Sequence, residues 1–200
     1  MKKIFAALVC AMPFVANAEG MYVGLGYAHA DRDSGITNVA NGTLDETDNT
    51  TKFTVGYEID DTFAVEGFYL NDAEASLSGA SATWNNADGS SDNMGSSNPI
   101  TDELDAIGFA FIAKLDVNAD LSLLGKVGYY KWDYKLSAAN VHLPAYDIDD
   151  KDMMYGIGAE YKIDENVALR AEYETYKGGR NKSATDTGFD LMSASLVYKF

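Results

Sequence analysis

From Met21 onward, large apolar side chains fall on every second residue of eight separate segments, and glycine, small or charged residues fill the places between. A period of two marks a strand, because successive side chains point to opposite faces. The first segment, Met21 to Ala30, sets Met21, Val23, Leu25 and Tyr27 against Tyr22, Gly24, Gly26 and Ala28. The second, Lys52 to Ile59, sets Phe53, Val55 and Tyr57 against Lys52, Thr54, Gly56 and Glu58, and the third, Phe63 to about Asn71, opposes Val65 and Tyr69 to Glu66 and Phe68. The fourth (Asp105 to Leu115) carries Ile107, Phe109 and Phe111 against Ala106, Gly108, Ala110 and Lys114; the fifth (Leu121 to Leu136) carries Leu123, Val127 and Tyr129 against Lys126, Gly128, Tyr130 and Trp132. In the sixth (Met153 to Ile163), Tyr155, Ile157 and Tyr161 oppose Gly156, Gly158, Glu160 and Lys162. In the seventh, from Val167, Leu169, Ala171 and Tyr173 oppose Arg170, Glu172 and Glu174, and in the eighth (Phe189 to Phe200), Met192, Leu196, Tyr198 and Phe200 oppose Ser193, Ser195 and Lys199.

Alternation alone also fits a soluble sandwich, in which apolar faces meet and polar faces meet water. Three features favour an all-β, eight-stranded antiparallel up-and-down transmembrane β-barrel instead. Connections alternate between long (31–51, 72–104, 137–152, 177–188) and short (60–62, 116–120, 164–166), the pattern of long extracellular loops and short periplasmic turns. Aromatic residues sit at strand ends on the apolar face, Phe53, Tyr69, Tyr155 and Tyr173 toward the long loops and Tyr57, Phe63, Tyr161, Tyr198 and Phe200 toward the short turns, as in interfacial girdles. The last strand ends on the apolar aromatic Phe200. The mean hydropathy of -0.19 does not oppose this reading, because lipid-facing residues occupy only alternate positions of a barrel strand.

The first residues form a separate unit. Lys2 and Lys3, an apolar run from Ile4 to Val15, and Ala16-Asn17-Ala18 have the layout of a secretory signal, with cleavage after Ala18 leaving Glu19 first. The expected organisation is therefore a signal peptide at 1–18 and one barrel domain at 19–200, located in the outer membrane of a Gram-negative cell after export. Cys10 is preceded by Val9 and not by the small residue that lipidation requires, so the expected mature chain has neither cysteine nor disulfide. Removing Lys2 and Lys3 from the 15 basic residues leaves 13 against 31 acidic ones, a formal charge of -18 that disfavours nucleic acid as a partner.

Tyr22-Val23-Gly24-Leu25-Gly26-Tyr27, Gly125-Lys126-Val127-Gly128 followed by Trp132-Asp133, Tyr155-Gly156-Ile157-Gly158, Leu169-Arg170-Ala171-Glu172-Tyr173 and the final Leu196-Val197-Tyr198-Lys199-Phe200 span nearly the whole mature chain. In this order the chain resembles the small outer-membrane barrels of the OmpA transmembrane-domain and OmpX/Ail kind. The resemblance implies that Phe200, and with it Tyr198, is the signal read by the barrel assembly machinery. The cell-wall-binding domain that follows the OmpA barrel is not expected, because the sequence stops with the eighth strand, so the resemblance does not extend to cell-wall tethering.

The expected lumen carries Lys52, Glu58, Glu66, Lys114, Lys126, Glu160, Lys162, Arg170, Glu172, Glu174 and Lys199. An eight-stranded barrel has an interior that side chains just fill, so these charges are expected to pair as a plug. The alternative is a gated pore in which Arg170 or a lysine changes partner. Catalysis is not expected: His29 lies near Asp31 and Asp33 without a recognisable nucleophile motif, and His142 falls in a long loop. Neither cofactor nor metal site is expected, since the acidic run Asp147, Asp149, Asp150 and Asp152 lacks the spacing of a calcium loop and is interrupted by Lys151. The second long loop, rich in Ser, Gly, Asn and Asp and carrying Trp84 and Met94, is expected to be mobile. The functional expectation is a structural or surface-interaction protein acting in adhesion or envelope integrity through its four loops. Its partners would be outer-membrane lipid, lipopolysaccharide and an extracellular ligand; a narrow porin-like channel is the alternative, and a lipid-modifying enzyme a distant third.

Overall fold

A computed structural model of the chain describes residues 19–32, 37–79, 82–85, 89–93, 100–138, 148–178 and 187–200. The signal-like segment with Ala16 and Ala18, together with Cys10, Asp33, Met94, His142 and Asp147, lies outside them; Glu19 is the first described residue. Every regular element among the described residues is a strand: β1 (Met21–Arg32), β2 (Thr37–Ala40), β3 (Thr43–Asp45), β4 (Thr47–Glu58), β5 (Phe63–Ser78), β6 (Thr83–Asn85), β7 (Ser91–Asn93), β8 (Ile100–Asp116), β9 (Leu121–Ala138), β10 (Ile148–Lys162), β11 (Val167–Gly178) and β12 (Thr187–Lys199).

Eight of these close into an antiparallel barrel, running β5-β4-β1-β12-β11-β10-β9-β8 with β5 paired to β8. The first and last barrel strands, β1 and β12, pair with each other, with Tyr22 opposite Lys199 and the Phe200 N–H donating to the Met21 carbonyl at 3.0 Å. A closed barrel leaves no free edge and satisfies every ladder group internally, the condition for crossing a bilayer with strands. Outward positions such as Leu25, Phe109, Ile157 and Leu196 are exposed, and inward positions are covered.

The three short turns share one device. Asp60 Oδ1 accepts from the N–H groups of Thr62 and Phe63 at 2.7 and 2.8 Å, Asn118 Oδ1 from Asp120 and Leu121 at 2.9 and 3.0 Å, and Asp164 Oδ1 from Asn166 and Val167, both at 2.8 Å. Each side chain holds the turn before the next strand starts, the local bonding that makes Asp and Asn turn residues.

Toward the long loops the strands run further than the hydrophobic alternation predicts. β4 starts at Thr47 and not Lys52, β8 at Ile100 and not Asp105, β10 at Ile148 and not Met153, and β5 continues to Ser78. A transmembrane strand needs only ~9–11 residues, so the 17 residues of β8 and 18 of β9 carry the wall beyond the bilayer. Outside the membrane both faces are wet, polar residues occupy both parities, and the ladder continues without a hydrophobic pattern.

Part of the first two long connections also forms strands, including Thr83–Asn85 and Ser91–Asn93 within the second loop, where the sequence reading expected none. β3 adds to β5, and β2, β6 and β7 make a separate three-stranded sheet, with Trp84 in its central strand. Leu77 and Ala82 are buried beneath it, packed by Val39 and Leu44. Asn38 and Asn41 adopt positive φ (54° and 57°), a conformation Asn tolerates better than most residues. Gly79, at φ +131°, passes so close to Asn41 that a Cβ would strike its carbonyl. Leu77→Asp is expected to open this small sheet while the barrel stays intact. Losing ~2 kcal/mol of apolar burial raises the opened population by about one to two orders of magnitude. Limited proteolysis of residues 37–93 should accelerate accordingly, with the heat-dependent gel mobility of the barrel unchanged.

Candidate functional site

The inward faces of all eight barrel strands meet in one continuous charge ladder. Lys52 on β4 sits 2.5 Å from Glu174 and 2.7 Å from Glu172, both on β11. Lys126 on β9 reaches Glu66 at 2.7 Å, Glu172 at 2.8 Å and Glu174 at 3.0 Å. Arg170 places Nη1 on Glu66 of β5 at 2.5 Å, and aims Nε and Nη2 at Glu160 Oε2 on β10 at 2.8 and 2.6 Å. Lys199 on β12 continues from Glu160 at 2.7 Å to Glu58 at 3.0 Å, and Glu58 pairs with Lys114 on β8. From β1, the Tyr22 hydroxyl donates to Glu66 at 2.9 Å, while its ring lies 5.1 Å from the Arg170 guanidinium.

The ladder holds five cations and five carboxylates, so its formal charge is zero. Its centre is buried: Lys52 and Glu174 are 0% exposed and Arg170 1%. Buried ions persist only where each has near-ideal opposite partners, and here nearly every member of the central part has two or more. Ten of the eleven expected lumen charges lie in this assembly. Lys162 does not: it has the inward parity of β10 but is the strand's last residue, exposed at the rim, and joins no ion pair among the described residues.

Aromatic side chains cluster in the lumen on the long-loop side of the ladder. Tyr176 stacks on Phe189 (4.4 Å, 4°), Tyr130 meets both edge-on at 5.0 and 6.2 Å, and Phe68 packs on Tyr176 at 5.8 Å. Leu70, Trp132, Met154 and Leu191 fill the spaces between them, and the Tyr130 hydroxyl is bonded to the Lys177 carbonyl at 2.6 Å. In the short-turn half, Tyr22, Ala64, Ile112, Leu124, Ala168 and Val197 pack between ladder and wall. The alternation already places Phe68, Tyr130 and Trp132 inward; that they join Tyr176 and Phe189 in one cluster depends on cross-strand register.

The remaining inward wall is different. Gly24, Gly26, Thr54, Ser193 and Ser195 line β1, β4 and β12, and the buried hydroxyls of Thr54, Ser193 and Ser195 have no hydrogen-bond partner among the described residues. Outside the barrel, Tyr57, Phe63, Tyr161 and Tyr198 are exposed around the short-turn end, with Tyr198 edge-on to Phe200 at 5.1 Å. Tyr155 and Tyr173 are exposed and Phe53 and Tyr69 half-buried toward the other end, where Tyr27, Phe109 and Tyr129 add to the aromatic surface. His29 points outward with Nδ1 3.1 Å from the Asn49 side-chain oxygen.

The family model of the outer membrane protein β-barrel domain matches residues 4–200. Among curated proteins, none matches the sequence. Solved structures of similar shape include Neisserial surface protein A (TM-score 0.58, 17% identity, covering 91% of this chain and 98% of that one) and OprG from Pseudomonas aeruginosa (TM-score 0.58, 12% identity, 91% and 96%). The attachment invasion locus protein Ail of Yersinia pestis is similar too, with a TM-score of 0.54, 17% identity and coverage of 91% and 99%. A closed eight-stranded antiparallel wall agrees with these matches, and the chain belongs to the outer-membrane β-barrel domain family.

Proposed function

We propose that this protein is a plugged outer-membrane barrel with a structural and surface-interaction role, its strands serving as anchor and its folded loop end as the contact surface. The observation that carries this reading is the division of the molecule. The lumen is spent on a neutral, buried ladder under an aromatic cluster, whereas the chain builds a second sheet at the long-loop end. A rigid platform on a rigid scaffold is how binding surfaces are commonly mounted.

Planar-bilayer recording of the refolded chain tests the reading. Silence from a barrel that still shows a heat-dependent gel shift is expected, and reproducible single-channel steps would overturn it. One observation favours a second reading, the narrow channel: the unpartnered hydroxyls of Thr54, Ser193 and Ser195 beside Gly24 and Gly26 form a polar, small-residue seam. Steps that vanish when Ser193 and Ser195 are both replaced by valine would establish that seam as the path.

A further inference from the structure

In the whole sequence Asn41 is the one asparagine followed by a glycine. Asn41-Gly42 makes the two-residue bend between β2 and β3, with Asn41 exposed and Gly42 half-buried. Two local demands select this pair. Residue 41 has φ +57°, a conformation that asparagine tolerates better than most residues. Residue 42 has no room for a Cβ, which would lie 2.5 Å from the Ala82 Cβ and 2.7 Å from the Ser78 carbonyl oxygen.

The residues that fit the bend are also a labile pair. An asparagine carboxamide and the next backbone nitrogen can close a five-membered ring, and glycine leaves that nitrogen without a side chain to obstruct the approach. Among the described residues no backbone carbonyl holds the Gly42 N–H. Ring closure forms a bond between the Gly42 nitrogen and Asn41 Cγ and breaks the Cγ–Nδ2 bond; the proton of the Gly42 nitrogen leaves with Nδ2 as ammonia. Water, the only co-reactant, then opens the succinimide at either carbonyl to give aspartate or isoaspartate.

Isoaspartate is the product that this bend cannot absorb. Its main chain runs through Cβ and Cγ, so one more C–C bond, about 1.5 Å, enters the connection. Both ends of the connection are held, because Ala40 is paired with Thr83 on β6 and Thr43 with Ser78 on β5. The facing turn is closed as well, with the Ala82 N–H donating to the Gly79 carbonyl at 3.0 Å. Lengthening one side of this pinned crossing drives Gly42 against Ser78 and Ala82, and Ala82 with Leu77 is the buried support of the small sheet.

We propose that Asn41-Gly42 is a site of spontaneous covalent modification, and that its conversion to isoaspartate releases the small sheet of β2, β6 and β7 from β3 and β5. The change runs one way and adds a carboxylate, so the folded loop end of an aged molecule differs from that of a new one in both charge and shape. It depends neither on whether the lumen conducts nor on what the loop end meets.

The test is to age the refolded full barrel in mildly acidic and mildly alkaline buffer, then map its peptides by mass spectrometry with fragmentation that separates aspartate from isoaspartate. Conversion at Asn41 is expected, at a rate that rises about tenfold per pH unit, as the deprotonated fraction of a nitrogen does far below its pKa. Limited proteolysis of residues 37–93 should then run about tenfold faster in the aged barrel than in the fresh one, with the gel shift intact. Asn41→Gly keeps the left-handed bend without a carboxamide, and should age with no gain in sensitivity. An intact Asn41 amide in the barrel, under conditions that convert a free peptide of residues 37–45, would overturn the site. Conversion to isoaspartate without faster proteolysis would overturn the release.

Discussion

Arg170→Met is expected to remove about 3–5 kcal/mol of barrel stability, the usual cost of stripping one partner from a buried ionic group. Arg170 donates to Glu66 and Glu160 on two different strands, and its loss leaves the ladder with four cations against five carboxylates in a buried interior. Glu66 would retain Lys126 and Tyr22, and Glu160 would retain Lys199, so the defect is an excess of one negative charge and not a bare carboxylate. Adding Glu160→Gln restores neutrality and should recover part of the loss. Denaturant unfolding in detergent micelles, followed by gel mobility and by the fluorescence of lumen-facing Trp132, reads both effects. A single variant within ~0.5 kcal/mol of the parent, the range of ordinary surface substitutions, would show that the ladder does not hold the wall together.

Gly128→Val should prevent the barrel from closing at all. Gly128 faces the lumen on β9, in register with Ala110 on β8 and Met154 on β10. A Cβ there would lie 2.8 Å from the Ala110 Cα, 3.0 Å from its Cβ, and in collision with the Phe109 carbonyl oxygen. The obstruction is backbone, which cannot rotate away as a side chain does, and yielding would break the β8–β9 ladder beside the aromatic cluster. Refolding into detergent should give no compact, fast-migrating band, whereas Gly125→Val, at an outward position where a Cβ meets nothing within 4 Å, should refold normally. Equal refolding of the two variants would mean that the wall breathes more than this register allows.

The parity of the wall was legible in the sequence because the membrane imposes it. Lipid on one side and a filled lumen on the other force residues such as Ile157 and Glu160 onto opposite faces, and this alone places ten of the charges in the ladder. Lys162 shows the limit of the rule, since parity does not reveal where the lumen ends. The partners within the ladder were not legible: Lys52 meets Glu172 and Glu174 only because β4 and β11 face each other across a closed ring, a relation between residues about 120 positions apart. The small sheet of β2, β6 and β7 was hidden for another reason. Seven of the ten residues in its strands are Thr, Asn, Ser or Asp, and its buried support comes down to Leu77, Ala82, Val39 and Leu44, too few to print a periodic pattern.

The neutrality of the ladder governs how whole molecules meet in the plane of the membrane. Since its charges cancel inside, the entire formal charge of -16 is borne by the rest of the chain, above all by turns, rims and loops. Two neighbouring copies therefore approach as like-charged discs around uncharged cylinders, with a repulsion that ions cut off at about 8–10 Å at ordinary salt. Such a force spaces barrels apart without any contact between them.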